Sequence, residues 1–149
     1  MWTRSRLGAV TASRRLVPDV GLVLEGPPAD DLPGTPPDEM QGKLGGGPQI
    51  RMLDPTAISN RRLVDFVKDV AKAEDIPVQV AVRRSGGTDA KSIHLANEGT
   101  PTIVIGVPSR YIHSHNSIIE MRDLELAVDL LVAVIRRLDA NTVAGFVRY

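Results

Sequence analysis

Thr102-Ile103-Val104-Ile105-Gly106-Val107 is the stretch on which the fold turns. A continuous β-branched run of this length predicts a strand buried on both faces, with helices packed above and below it. Working outward, Val20-Gly21-Leu22-Val23-Leu24 is a second apolar run, and it stops at Glu25. Residues 49–53 read as a short strand. Val78, Val80 and Val82 alternate with Gln79 and Ala81 in a further one. Helical spacing over 59–74 groups Leu63, Phe66, Val67, Val70 and Ala71, with Ser59 as the expected N-cap. Over 122–138 the same spacing places Leu124, Ala127, Val128, Leu131, Val134, Ile135 and Leu138 on the expected core face. Asp123 and Glu125 in its first turn and Arg136 and Arg137 in its last suit the helix dipole. Residues 88–97 predict a helix closed near Gly99, and 5–16 a short one stopped before Pro18. Strands alternating with helices predict an α/β fold, a sheet flanked by helices. The pattern assigns no element to 139–149.

Residues 26–48 break the alternation. Pro27, Pro28, Pro33, Pro36, Pro37 and Pro48, with Gly34, Gly42, Gly45, Gly46 and Gly47, exclude helix and central strand. So long a connection is a functional segment, an interface arm or a linker.

Composition excludes several classes. The chain has 149 residues, 42% of them hydrophobic but only 3% aromatic, so its core rests on Val, Leu, Ile and Ala. Eighteen basic side chains offset eighteen acidic ones, and no basic patch with interleaved aromatics points to nucleic acid. No apolar run reaches the ~18 residues of a membrane span. The absence of cysteine excludes disulfide and thiolate chemistry and fits a cytoplasmic location. Arg4, Arg6, Arg14 and Arg15 with no acid before residue 19 have the composition of a transit peptide; an ordinary helix with a basic exposed face is the preferred reading.

In open α/β sheets ligands bind outside the carboxyl ends of the strands. Three segments meet that condition: Glu25 after the first strand, Gly86-Gly87-Thr88-Asp89 after the strand 78–82, and His113 after the strand 102–107. Adjacent parallel strands would bring all three to one edge. A carboxylate and an imidazole there suit zinc, cobalt or manganese, although a carboxylate after a strand is also an ordinary cap or ion-pair partner. The two glycines serve equally as a tight turn, with Thr88 as N-cap and Asp89 in the first helical turn. His94 reads as packed or surface-facing, and His115 as exposed. Gly45-Gly46-Gly47 lacks the following Lys-Ser/Thr of a phosphate loop, and no Gly-x-Ser-x-Gly elbow is present.

The blocks Pro18-Asp19-Val20-Gly21-Leu22-Val23-Leu24-Glu25, Ala29-Asp30-Asp31-Leu32-Pro33-Gly34, Leu44-Gly45-Gly46-Gly47-Pro48, Gly86-Gly87-Thr88-Asp89-Ala90, Glu98-Gly99-Thr100-Pro101 and Arg110-Tyr111-Ile112-His113-Ser114 resemble, in this order, the glutamyl aminopeptidase / cellulase M (endoglucanase M) family of two-metal, tetrahedral aminopeptidases. The likeness spans about residues 7–138. It implies a zinc-peptidase-like (phosphorylase/hydrolase-like) α/β fold, a mixed sheet flanked by helices, with peptide hydrolysis at two divalent cations, zinc or cobalt. Glu25 matches a carboxylate ligand position and His113 the histidine ligand of the other metal. Gly86, Gly87, Thr88 and Asp89 match the segment beside the substrate groove.

The departures carry equal weight. The family's early histidine, bridging aspartate and Glu-Glu pair precede a block that appears here as Arg6-Leu7-Gly8-Ala9, and the pair aligns with Trp2 and Thr3. No residue here is therefore assigned as catalytic. A lysine common in the family is Gly46, a small residue is Lys91, and the inserted dimerisation domain has no counterpart. The resemblance thus implies the C-terminal part of an aminopeptidase domain, inactive by itself. Its expected partners are peptides in an intact relative, and a missing N-terminal half or further copies of the chain. A non-catalytic folded remnant is the alternative. Glycoside hydrolysis would need two carboxyl groups about 5–10 Å apart, and no preferred pair stands out.

Overall fold

The computed structural model describes residues 7–147. The expected helical positions 5 and 6, the basic residues Arg4 and Arg6, and the Trp2-Thr3 alignment lie outside them, as does the end of the tail at 148–149.

Twelve elements follow one another among the described residues: α1 (Leu7–Leu16), β1 (Gly21–Glu25), β2 (Gln49–Asp54), β3 (Ala57–Ile58), α2 (Arg61–Ala73), β4 (Gln79–Val82), α3 (Ala90–Ile93), β5 (Thr102–Gly106), β6 (Ser109–Arg110), β7 (Ile118–Ile119), α4 (Met121–Arg137) and α5 (Ala140–Val147). The Thr102 run is the fully buried strand its composition demands. It pairs in parallel with β1 on one side, Gly21 opposite Thr102 and Glu25 opposite Gly106. On its other side it pairs antiparallel with β2, Gln49 opposite Gly106. β4 runs parallel to β2, and the short β3 turns back against the end of β2. The sheet is therefore mixed, as expected.

Side chains alternate across the sheet, and the two faces differ sharply. One carries Ile50, Ile103 and Ile105 into a cluster with Leu63, Val64 and Val67 of α2, Leu130 and Val134 of α4, and Phe146 of α5. The other is mixed: Val23, Val104 and Ala57 meet Ala90 and Ile93, beside the buried polar residues Gln49 and Arg51. Burial raises the Asp54 carboxyl's proton affinity, but hydrogen bonds from the Thr56 hydroxyl and amide and from Arg51 outweigh it, leaving its pKa below the ordinary value.

Several expectations are corrected. The N-cap of α2 is Asn60, whose side chain accepts from the Leu63 amide at 3.0 Å; Ser59 instead donates to the Arg51 carbonyl at 2.6 Å. The helix foreseen over 88–97 is a single turn at Ala90–Ile93, followed by hydrogen-bonded turns to Gly99. The tail forms α5, fixed by tertiary contacts rather than by its own pattern: Phe146 packs on Phe66 with ring centroids 5.6 Å apart, and Asn60 donates to the Phe146 carbonyl at 3.1 Å. The largest correction concerns α4. Its buried positions are Asp123, Leu126, Ala127, Leu130, Ala133 and Val134. Val128 and Ile135, expected inside, are 52% and 54% exposed. The helix carries two apolar stripes, and only one lies against the sheet.

The arm over 26–48 is held at three places. The Asp123 carboxylate, fully buried, accepts the Gly45 and Gly47 amides at 2.8 Å each. Arg83 Nη1 donates to both Asp30 oxygens at 2.8 and 2.7 Å, and Nη2 to the Pro28 carbonyl at 2.8 Å. Arg110 holds Asp31. Gly47 is obligatory: its φ is +84°, and a Cβ would lie 2.0 Å from the Pro77 carbonyl oxygen. At Gly46 a Cβ would lie 2.6 Å from the Gln79 amide carbon, and Gln79 bridges the Lys43 and Gly47 carbonyls. The departure at Gly46 thus leaves room for the Gln79 side chain.

Candidate functional site

β1 and β5 are parallel neighbours, so their carboxyl ends share one rim. Glu25 closes β1 there, half-buried, with its side chain alternating onto the mixed face along with Val23. Beyond Glu25 and Gly106 the two chains remain joined. The Glu25 carbonyl accepts from the Val107 amide at 3.0 Å, the Pro27 carbonyl from Ser109 at 2.9 Å, and the Ser109 carbonyl from Ala29 at 2.9 Å. The segments after the two strands are therefore zipped together.

His113 sits at the exposed tip of the hairpin between β6 and β7. Its φ is 62° and that of Tyr111 is 60°, left-handed values uncommon outside glycine. The Ser114 hydroxyl braces the loop, 2.6 Å from both the Tyr111 and Asn116 carbonyls. At the base of the hairpin Arg110 makes a two-pronged ion pair with Asp31, Nε to one oxygen and Nη2 to the other, each at 2.8 Å. Asp31 also accepts from the Leu44 amide at 3.0 Å. The Arg110 hydrogen bonds hold the Asp31 carboxyl down at a pKa of about 2, and they raise that of Arg110 in turn. This pair ties the loop that follows Glu25 to the hairpin that carries His113. Sequence reasoning passed over it, although both residues stand inside the quoted blocks; an acid and an arginine in two segments expected at one rim were the available signal.

The expectation that parallel strands gather all three segments fails for β4. β2 is antiparallel to β5 and β4 is parallel to β2, so β4 ends at the opposite rim. The segment 86–89 leaves from there and returns across the mixed face to start α3, where Ala90 packs with Val23 and Val104. Gly86 (φ +81°) supplies the turn. Thr88 is buried and its hydroxyl accepts the Ala90 amide at 3.2 Å, whereas Asp89, at the N-cap position, makes no capping hydrogen bond. His94 is half-buried with Nδ1 2.6 Å from the Ala90 carbonyl, and His115 is exposed.

A zinc site draws three or four protein ligands. Among the described residues no group of three or more His, Asp or Glu side chains could hold a metal ion. The donor chemistry of Glu25 and His113 suits a divalent cation, but these residues by themselves do not constitute a centre for one.

With this geometry in view, comparison with known proteins is decisive. The model of the M42 glutamyl aminopeptidase family matches residues 6–130. The chain belongs to that family. It is 36% identical over 142 residues to the glutamyl aminopeptidase of Lactococcus lactis, covering 95% of this chain and 39% of that protein. Among solved structures, the TET aminopeptidase of a marine-sediment Thaumarchaeota archaeon superimposes with a TM-score of 0.92 at 42% identity, over 97% of this chain and 40% of that one. The Pyrococcus horikoshii TET1 peptidase, which assembles into a tetrahedron or a large octahedral shell, gives 0.71 at 28% identity over 91% of this chain and 38% of that one. The chain thus spans about 40% of the length of the relatives it matches.

Proposed function

We propose that this M42 chain supplies part of the active centre of a metal-dependent aminopeptidase. Glu25 provides a carboxylate ligand to one divalent cation and His113 an imidazole ligand to the other. The segment 86–89 borders the groove for the peptide's N-terminal end. The observation that carries the reading is the shared rim: β1 and β5 end side by side, and the Asp31–Arg110 pair fixes the segments that follow them. Zinc and cobalt both fit one oxygen and one nitrogen donor. The remaining ligands and the proton-transferring group come from parts of an M42 domain that this chain does not represent, so the 149-residue chain acting alone is inactive. Homo-oligomeric assembly, as in the TET1 shell, and a cytoplasmic location complete the proposal.

Calorimetric titration of the chain with zinc and with cobalt tests it. Weak uptake is expected, reduced further in His113→Ala and Glu25→Gln. Tight stoichiometric binding of two ions by the isolated chain, or uptake indifferent to both substitutions, contradicts it.

A further inference from the structure

Asp89 is a carboxylate for which the fold has no use. It stands at the N-cap position of α3, where an aspartate ordinarily accepts a backbone amide. Here the Thr88 hydroxyl takes the Ala90 amide at 3.2 Å instead, and Asp89 makes no capping hydrogen bond. Among the described residues its side chain has no other hydrogen bond and no ion pair. Its backbone is already helical: φ is −62° and ψ is −18°, and its carbonyl accepts from the Ile93 amide at 3.3 Å.

The direction of α3 determines where that carboxylate lies. Ala90 packs with Val23 and Val104, midway along β1 and β5. Ile93 lies over Gly21, where a Cβ would come within 2.7 Å of its Cγ2. α3 therefore runs against β1, from its middle back toward its start. Its N-terminal end is turned to the rim where β1 stops at Glu25. In a helix, residues i and i+4 share a face, and each Cα–Cβ bond tilts toward the N-terminus. Asp89 is four residues before Ile93, so its side chain leaves from the sheet-facing side and leans toward the Glu25 rim. It is half-buried there. Although β4 ends at the far rim, the segment that follows it thus carries one carboxylate back to the near one.

We propose that Asp89 holds the α-ammonium group of the peptide and so confines cleavage to the N-terminal residue. This deepens the aminopeptidase reading above and rests on it, though not on its choice of metal ligands. A free amino terminus is common to aminopeptidase substrates whatever their side chains, and below a pH of ~7.7 it is mostly charged. A carboxylate meets that group with charge-assisted hydrogen bonds, stronger than those between neutral partners. It is available only where no other cation claims it. Asp30 is engaged by Arg83 and Asp31 by Arg110, and Glu25 serves a metal ion in the reading above. Asp89 has no such engagement. An internal stretch of peptide would bring a neutral amide to the same place and leave the carboxylate unpaired, which is costly at a half-buried position.

Titration of the isotope-labelled chain with leucinamide and with N-acetyl-leucinamide tests this, with the backbone amide signals of residues 86–90 as the readout. Chelator is present throughout so that metal plays no part, and the pH is held about a unit below the ~7.7 of an α-amino group. Leucinamide is expected to bind about tenfold more tightly than its acetylated form, within reach of one charged hydrogen bond. Asp89→Asn should abolish that preference and Asp89→Glu should keep part of it. Glu98→Gln, at an exposed acid before the start of β5, should leave it intact. The same spectra show that each variant is folded. Equal binding of the two probes, or a preference that survives Asp89→Asn, overturns the proposal. Zinc calorimetry then separates the two readings. Uptake lost in Asp89→Asn would make Asp89 a metal ligand and overturn the amine assignment. Uptake indifferent to Glu25→Gln and His113→Ala, with the amine preference intact, refutes the metal-ligand assignment and leaves Asp89 in its role.

Discussion

The arm over 26–48 and the helix α4 invert what their sequences suggest. The arm is rich in Pro and Gly and has almost no regular structure, yet it is fixed through Asp123, Arg83 and Arg110 to elements distant in sequence. α4 is seventeen residues of regular helix, yet one of its apolar stripes faces outward. Regularity and completeness are separate properties. An irregular segment becomes rigid when its peptide groups and charges find buried partners, while a helix with two apolar stripes stays unfinished until a second surface covers it.

The sharpest way to break this contrast is at Asp123. Asp123→Ala removes the acceptor for two arm amides, one of them buried, and should destabilise the chain by about 3–4 kcal/mol in urea unfolding. A loss under ~1 kcal/mol would mean that the arm is held by something else. Next comes Asp30→Ala, which leaves the Arg83 guanidinium buried without its carboxylate and should cost about 3 kcal/mol. The double change Asp30→Leu with Arg83→Met should recover much of that loss, because it removes the charge whose burial is the source of the penalty. No recovery would point to geometry rather than charge.

What was legible in the sequence follows the same division. β1 and β5 are readable because continuous apolar runs demand burial, and the position of Glu25 follows because the run stops there. Strand direction leaves no such mark: 78–82 reads identically whichever way it runs, and only pairing with β2 reveals that β4 ends at the far rim. Alternation does not say which set faces inward either: Val80 and Val82 are 41% and 49% exposed while Ala81 between them is buried. For α4 the spacing fits two faces, and only one of them is buried against the sheet. The arm's anchors stand more than fifty residues from their partners, a range at which periodicity is silent. α5 depends on Phe66 and Asn60, both far upstream. At the candidate site Glu25 and His113 come from local pattern and resemblance, but the Asp31–Arg110 clamp joining their segments is a tertiary fact.

That clamp has a pH signature. The Asp31 carboxyl has a pKa of about 2 in the folded chain against an ordinary 3.8. The folded value lies below the unfolded one, so the contribution is present in full above about pH 4 and fades as pH falls toward 2. With ~1.4 kcal/mol per unit, its ceiling is about 2.5 kcal/mol. Solvent screens this partly exposed pair, so Asp31→Asn should lose about half that much at neutral pH and show a shallower decline in stability between about pH 4 and 2. Equal slopes for wild type and variant would remove the ion pair from the arm's supports.

The smallest expected effect makes the other half of the comparison falsifiable. Val128 is half exposed on the stripe of α4 that meets no part of the described chain's core. A lysine there keeps helix propensity and places its charge in water, so Val128→Lys should change stability by less than ~0.5 kcal/mol. Leu130, two positions along, is fully buried in the main cluster, and Leu130→Ala should cost about 2–5 kcal/mol. The two substitutions lie within one turn of one helix, so end effects cancel between them and the difference reports chiefly burial. A cost at Val128 approaching that at Leu130 would show that the outer stripe is already covered within this chain, and the helix would then be as complete as the arm.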